Sequence, residues 1–197
     1  MKEHSVNQLN NFMAGWYLEN TSLCDQIIDY HKNNEYKTEG IQRVRGIDSV
    51  DKTRKDSIDC TLKDPLLGKY YSELQKVVDV YVKKYPYCNS YDSWGTFEQI
   101  NVQYYAPHGG YHNWHTERSS GEGMTGKRHL VFMTYLNDVT DDGETEFYHQ
   151  QIKIKPEKGL TIIWPADWTF THRGITSKTQ EKYIVTGWFN FVGDASL

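Results

Sequence analysis

Residues 97–117 read FEQINVQYYAPHGGYHNWHTE. The segment FEQINVQYYA alternates apolar and polar side chains and stops at Pro107. Gly109-Gly110 then turns the chain into a second extended segment that closes on His115-Thr116-Glu117. Alternation of this kind is the period-two signature of a strand with one buried face. In a strand, alternate side chains share a face, so His115 and Glu117 point the same way, and Thr116 faces away. Their Cα atoms then stand roughly 6.5–7 Å apart, close enough for both side chains to reach one ion.

Downstream the texture continues. HLVFMTYLND (129–138) is strongly β, and DDGETEFYH (141–149) carries a turn at Asp142-Gly143. QQIKIKPEKG (150–159) alternates before a turn at Lys158-Gly159, and LTIIWP (160–165), WTFTHRG (168–174) and KYIVTGWFNF (182–191) complete the set. Short, closely spaced strands of this kind build an antiparallel sandwich or jelly roll.

Upstream of residue 96 the pattern is helical. LCDQIIDYHKNN (23–34) follows a capping run at Asn20-Thr21-Ser22, with Leu23, Ile27, Ile28 and His31 near one face. KYYSELQKVVDVYVKKY (69–85) carries a stripe of Tyr70, Leu74, Val77, Val78, Tyr81 and Val82. The polar stretch between them, broken by Gly40 and Gly46, reads as a loop with at most a short strand. The expectation is an α+β chain of one domain, 1–197. Residues 1–95 give mostly helical support, and residues 96–192 form a jelly-roll core, a double-stranded β-helix.

The net charge of −4 and the scattered Lys and Arg offer no basic field, so nucleic acid is not an expected partner. Cys24, Cys60 and Cys88 form no CxxC, which argues against a zinc site and fits a reducing compartment. The opening MKEHSVNQLNNF lacks the apolar core of a secretory signal, and no apolar run approaches membrane-spanning length. A cytoplasmic protein is expected.

An H-x-E pair alone is weak, because most histidines bind nothing. Here His115 and Glu117 are joined by His172 and, ten residues later, Lys182, all in β context. Two imidazoles and a carboxylate are the ligand set of a facial triad that binds Fe(II) and leaves the opposite face open. A zinc hydrolase would need a general base and an oxyanion donor besides, and no H-E-x-x-H helix is present. Among the other histidines, His112 falls on the opposite face from His115, His108 precedes a turn, and His129 and His149 flank strands.

Several motifs occur in one order: Gln103-Tyr104-Tyr105, Gly110-Tyr111, Trp114 to Glu117, TYLND (134–138), GETEF (143–147), Lys155-Pro156, Gly159, His172-Arg173-Gly174 and KYIVTGWF (182–189). Over residues 96–192 the chain thereby resembles the Fe(II)/2-oxoglutarate-dependent dioxygenases of the prolyl 4-hydroxylase-like branch. It departs at Glu117, where that family usually has Asp. The resemblance implies that His115, Glu117 and His172 hold Fe(II), and that Lys182 meets the far carboxylate of 2-oxoglutarate. Tyr105, Thr186 and Trp188 would line the co-substrate pocket with it. Tyr135 reads either as a further contact to that carboxylate or as core. Tyr111 and Trp114 either border the substrate entrance or pack.

The implied reaction is hydroxylation of an unactivated C–H bond with O2 as co-substrate and release of succinate and CO2, with ascorbate as a candidate auxiliary reductant. The expected substrate is a proline-containing peptide or protein. The same chemistry on another residue or a small molecule is the alternative within enzymes, and a non-catalytic jelly-roll binding module is the alternative outside them. The glycine-rich run RSSGEGMTGK (118–127) reads either as a substrate-covering loop or as an ordinary hairpin loop.

Overall fold

The computed structural model describes residues 1–44 and 47–192. Gly46, expected to break the loop between the helices, lies outside the described residues, as do residues 193–197 of the expected domain.

Two helices form where apolar periodicity places them. α1 spans Ser22–Asn33 and buries Leu23, Cys24, Ile27 and His31. α2 spans Leu66–Lys84 and buries Tyr70, Leu74, Val77, Val78 and Tyr81 along one stripe. Such a stripe is what a 3.6-residue period presents to a sheet. The intervening stretch holds more strand than its composition suggests. β1 (Ala14–Tyr17) precedes α1. β2 (Thr38–Glu39), β3 (Gln42–Val44), β4 (Ile47–Ser49), β5 (Lys55–Asp56) and β6 (Ile58–Thr61) lie between the helices. Each is two to four residues long, too short for alternation to register in the sequence.

The remaining strands are β7 (Trp94–Gly95), β8 (Asn101–Tyr105), β9 (Gly110–Tyr111), β10 (Arg128–Tyr135), β11 (Thr145–Phe147), β12 (Ile152–Ile154), β13 (Leu160–Pro165), β14 (His172–Gly174) and β15 (Lys182–Phe191). The major sheet runs β1-β13-β10-β15-β8-β6-β2, with β7 also on β15, and its pairs are antiparallel. A second sheet runs β12-β11-β14, and β5 pairs with β9. This is a jelly roll, with α1 and α2 packed on one face of the major sheet.

Side-chain alternation on β10 divides the core in two. Leu130 and Phe132 belong to the layer under the helices, together with Leu23, Ile27, Leu74 and Val77. Val131, Met133 and Tyr135 point into the layer between the sheets, with Phe147, Ile154, Ile162 and Trp164. β15 is divided the same way. Tyr183, Val185 and Phe189 face the helices, while Lys182, Ile184, Thr186 and Trp188 line the cavity on the opposite face. Emptying one large position in a core of this kind typically costs about 2–5 kcal/mol. Gly187 lies on the helix side, where a Cβ would come 2.3 Å from Phe132 Cζ. No helix among the described residues is long and apolar enough to cross a membrane.

Candidate metal and co-substrate site

His172 opens β14, and His115 lies opposite it in an isolated antiparallel bridge. Each amide donates to the other residue's carbonyl, at 3.0 and 2.9 Å. The continuous strand expected up to Glu117 does not form. β9 ends at Tyr111, the chain bends at Asn113, and His115 stands alone as a bridge residue. The reason is a change of partners: Lys55 of β5 pairs with Tyr111, and His172 pairs with His115.

Both imidazoles are oriented by their own chain. His115 Nδ1 lies 3.0 Å from the Asn113 carbonyl, and His172 Nδ1 lies 2.9 Å from the Phe170 carbonyl. A carbonyl can only accept, so each Nδ1 carries the proton and each Nε2 is left as a lone-pair donor. The two Nε2 atoms stand 3.5 and 3.4 Å from Glu117 Oε1. One ligand atom from each of the three residues lies within 4.8 Å of the other two, and this is the group of metal-ligand geometry found among the described residues.

Aromatic rings wall the group. Tyr111 stacks on His115 at 3.7 Å between centroids, nearly parallel. Phe147 and Trp164 each lie 5.3 Å from the His172 ring. Burial, and then the neighbouring His172, lower the pKa of His115. Burial pushes the Glu117 carboxyl upward, but imidazoles that carry a proton on Nε2 outweigh it and hold the group well below the usual carboxylate range. With Nε2 bare, the Trp188 indole N–H and Arg128 still favour the ionised form. A neutral imidazole and an ionised carboxylate, preset at one point, suit a divalent cation.

The group opens on a cavity of about 530 Å³. At its other wall is Lys182, buried, with Nζ donating to the Gly143 carbonyl at 2.7 Å and lying 3.5 Å from that of Ile175. Among the described residues, no carboxylate lies within ion-pair distance of this ammonium. Burial lowers its pKa to about 8, against a weaker upward pull from Glu144. An ammonium buried on these terms favours an incoming carboxylate.

The other expected residues are distributed unevenly. Tyr105 faces Lys182 across the β8–β15 pair, its ring 5.2 Å from Nζ and its hydroxyl donating to Gln103 Oε1 at 2.8 Å. Thr186 lines the cavity, with its hydroxyl 3.3 Å from the Phe132 carbonyl. Trp188 lines it too, but its indole N–H donates to Glu117 Oε2 at 2.9 Å. Tyr135 stands behind the wall. Its hydroxyl lies 2.7 Å from Thr145 Oγ1 and donates to the Ile154 carbonyl at 3.1 Å, while Thr145 is the residue that faces the cavity.

Sequence reasoning missed Arg128, Glu98 and Asn190, which form one hydrogen-bonded chain beside Glu117. It also missed a buried pair in the cavity wall, Lys55 with Asp59 at 2.7 Å. Of the 118–127 run, Ser119, Met124 and Thr125 line the cavity, and α3 (Gly123–Gly126) forms one helical turn within it.

Residues 100–190 match the family model described as the 2OG-Fe(II) oxygenase superfamily. No curated protein matches the chain in sequence. Among solved structures, a prolyl hydroxylase from Trichoplax adhaerens, in complex with a hypoxia-inducible factor oxygen degradation domain peptide fragment, superimposes with a TM-score of 0.71 at 18% identity. That alignment covers 94% of this chain and 87% of the other. The viral collagen prolyl hydroxylase of Paramecium bursaria Chlorella virus-1, in its 2OG complex, gives 0.68 at 20% identity, over 93% of this chain and 98% of that one. A Pseudomonas putida prolyl-4-hydroxylase gives 0.67 at 13% identity, over 95% and 97%. These likenesses carry the fold. The family model marks residues 100–190 as similar to a 2OG-Fe(II) oxygenase domain, an enzyme class that uses Fe(II), 2-oxoglutarate and dioxygen, and His115, Glu117 and His172 form a group that could hold the iron.

Proposed function

We propose that the chain hydroxylates a prolyl residue of a peptide or protein, with His115, Glu117 and His172 as the iron ligands and Lys182 as the anchor for the distal carboxylate of 2-oxoglutarate. The observation that carries this reading is the pairing of two preset elements in one cavity. Three candidate ligand atoms converge at one wall, and at the other stands a buried ammonium with no carboxylate partner among the described residues. Fe(II) bound there supplies the oxidising chemistry that couples decarboxylation of 2-oxoglutarate to C–H hydroxylation.

The residues of the chain do the rest. His115 and His172 present Nε2 because their Nδ1 protons are committed to backbone carbonyls. Lys182 fixes one end of the co-substrate, and Tyr105 and Thr186 shape the pocket around it. Trp188 acts there through Glu117, and Tyr135 supports the wall through Thr145. Tyr111, Phe147 and Trp164 pack around the imidazoles, and the burial they give strengthens each charge contact there. The whole chain serves as one catalytic domain, residues 1–95 supporting the 96–192 core. Residues 118–127 cover the substrate. Three free cysteines fit a cytoplasmic setting.

The prolyl substrate is favoured because the three fold neighbours named above are prolyl hydroxylases, one with a peptide fragment in place. The test is mass spectrometry of a panel of proline-containing peptides after incubation with Fe(II), 2-oxoglutarate and ascorbate under air. A gain of one oxygen on proline supports the assignment. Iron-dependent succinate formation with no peptide modified moves the substrate to another residue or a small molecule.

A further inference from the structure

We propose that Trp188 and Arg128 are positioning residues that grip one oxygen of Glu117 and so turn the other toward the two histidines, making this centre specific for a glutamate in place of its shorter homologue. The inference rests on the reading of His115, Glu117 and His172 as a metal centre, and it assigns a task to residues outside the ligand set.

The two carboxylate oxygens of Glu117 have separate surroundings. Oε1 faces the imidazoles, 3.5 Å from His115 Nε2 and 3.4 Å from His172 Nε2. Oε2 faces away from them. It accepts the Trp188 indole N–H at 2.9 Å and lies 3.4 Å from Arg128 Nη1. Bonds to an ionised acceptor are shorter and stronger than neutral ones, so two donors on Oε2 set the plane of the carboxylate.

The grip is itself held. Arg128 donates to both oxygens of Glu98, at 2.8 and 2.6 Å, a bidentate pair that fixes the guanidinium plane. Its Nη1 also donates to the Glu117 carbonyl at 2.9 Å, so Arg128 holds Glu117 by backbone and side chain together. The guanidinium carbon sits 3.5 Å from the centroid of the Trp188 ring. Asn190 Nδ2 in turn donates to Glu98 Oε1 at 2.8 Å and to the Met124 carbonyl at 3.0 Å.

Local backbone explains how Arg128 gets there. The β10–β15 register runs regularly from Leu130 to Tyr135, then shifts between Arg128 and Leu130, with Arg128 opposite Asn190. A bulge at a strand end re-aims the side chain beside it. Here it lays Arg128 over Trp188, which projects from the cavity face of β15.

Glu117 therefore spans a gap between the imidazoles on one side and the indole and guanidinium on the other. Aspartate is shorter by one methylene, roughly 1.5 Å of reach. With the backbone held by Arg128, an aspartate at this position leaves either the indole N–H or the histidine side without its oxygen.

The test is Co(II) binding to the metal-free full-length protein, followed by the visible absorption of the bound ion, for wild type, Glu117→Asp, Trp188→Phe and the double variant. The Phe variant keeps an aromatic ring beneath Arg128 and deletes the N–H, so it separates positioning from packing. Far-UV circular dichroism establishes that each variant is folded. Each single change is expected to weaken Co(II) by about tenfold or more and to alter the absorption envelope, the usual scale for a residue that orients a ligand. The double variant is expected to be no weaker than Glu117→Asp alone, because both changes break one contact. A wild-type protein that binds no Co(II) removes the metal-centre reading and this inference with it. A wild type that binds, with Glu117→Asp or a folded Trp188→Phe equal to it, overturns the grip and leaves the metal centre standing.

Discussion

His115 and His172 lie opposite each other across a single antiparallel bridge, exchanging backbone hydrogen bonds at 3.0 and 2.9 Å. Fifty-six residues of sequence separate them, yet the bridge sets their rings 4.3 Å apart. The two imidazoles are therefore brought together by backbone, and each ring is oriented by its own Nδ1 contact to a carbonyl. His172→Ala is expected to keep the bridge, which uses only main chain, and to lower Mn(II) affinity by more than the roughly 10–100-fold that loss of a supporting residue costs. Titration calorimetry with Mn(II) checks this, beside a circular dichroism spectrum unchanged from wild type. Equal affinity would place the metal elsewhere.

Lys182 gives a pH signature. Its folded pKa of about 8 lies below the ordinary 10.5 because burial disfavours the ammonium. Between those values the unfolded chain holds a proton that the folded chain has lost. In the protein without co-substrate, this group's contribution to stability therefore rises as pH goes from 8 to 10.5, and its penalty is complete below 8. A carboxylate bound to Nζ needs the ammonium, so 2-oxoglutarate affinity is expected to fall by about tenfold per pH unit above 8. Thermal shifts induced by 2-oxoglutarate with Mn(II) across pH 7–9.5 read this directly. Lys182→Met is expected to remove both the shift and its pH dependence, and a shift that persists in that variant would place the distal carboxylate elsewhere.

Gly187→Ala is expected to destabilise, although alanine commonly stabilises a chain by restricting its unfolded state. The added Cβ would come 2.3 Å from Phe132 Cζ and 2.9 Å from Cε2, in a layer already filled by Phe189 and the helices. Overpacking of this kind costs about 1–3 kcal/mol. Urea unfolding followed by circular dichroism measures it, and a midpoint equal to or above that of wild type would mean that the ring can move aside freely.

Residues 118–127 place Ser119, Met124 and Thr125 on the cavity and are tied to β15 by the Asn190 to Met124 bond. If the segment covers the substrate, trypsin cleavage at Lys127 and Arg118 is expected to slow when Mn(II), 2-oxoglutarate and a productive peptide are all present. Cleavage at an unchanged rate would make it an ordinary connecting loop.

The sequence was informative where side-chain chemistry follows short spacing. Lys182, Ile184, Thr186 and Trp188 share one face of β15, so period two brought them to the cavity, whereas His115 and Glu117 meet there although the strand expected to carry both does not form. It was silent where strands from distant parts of the chain meet. β1 and β6 join the major sheet with four residues each, too few to show a pattern. Arg128 reaches Glu117 and Glu98 through a register shift that no local composition encodes. Trp188 was placed by strand face, and Tyr135 read by resemblance either as a contact to the carboxylate or as core; the structure gives their polar atoms to Glu117 and to Thr145 and Ile154. Which hydrogen bond a tip makes depends on neighbours that only the fold supplies.

The most direct measurement is succinate formed from 2-oxoglutarate under air, with Fe(II), ascorbate and the proline-peptide panel, for wild type and His172→Ala. Iron-dependent turnover in the wild type, stimulated by peptide and lost in the variant, is the expected result. Turnover undiminished in His172→Ala would contradict the assignment of His115, Glu117 and His172 as the iron site.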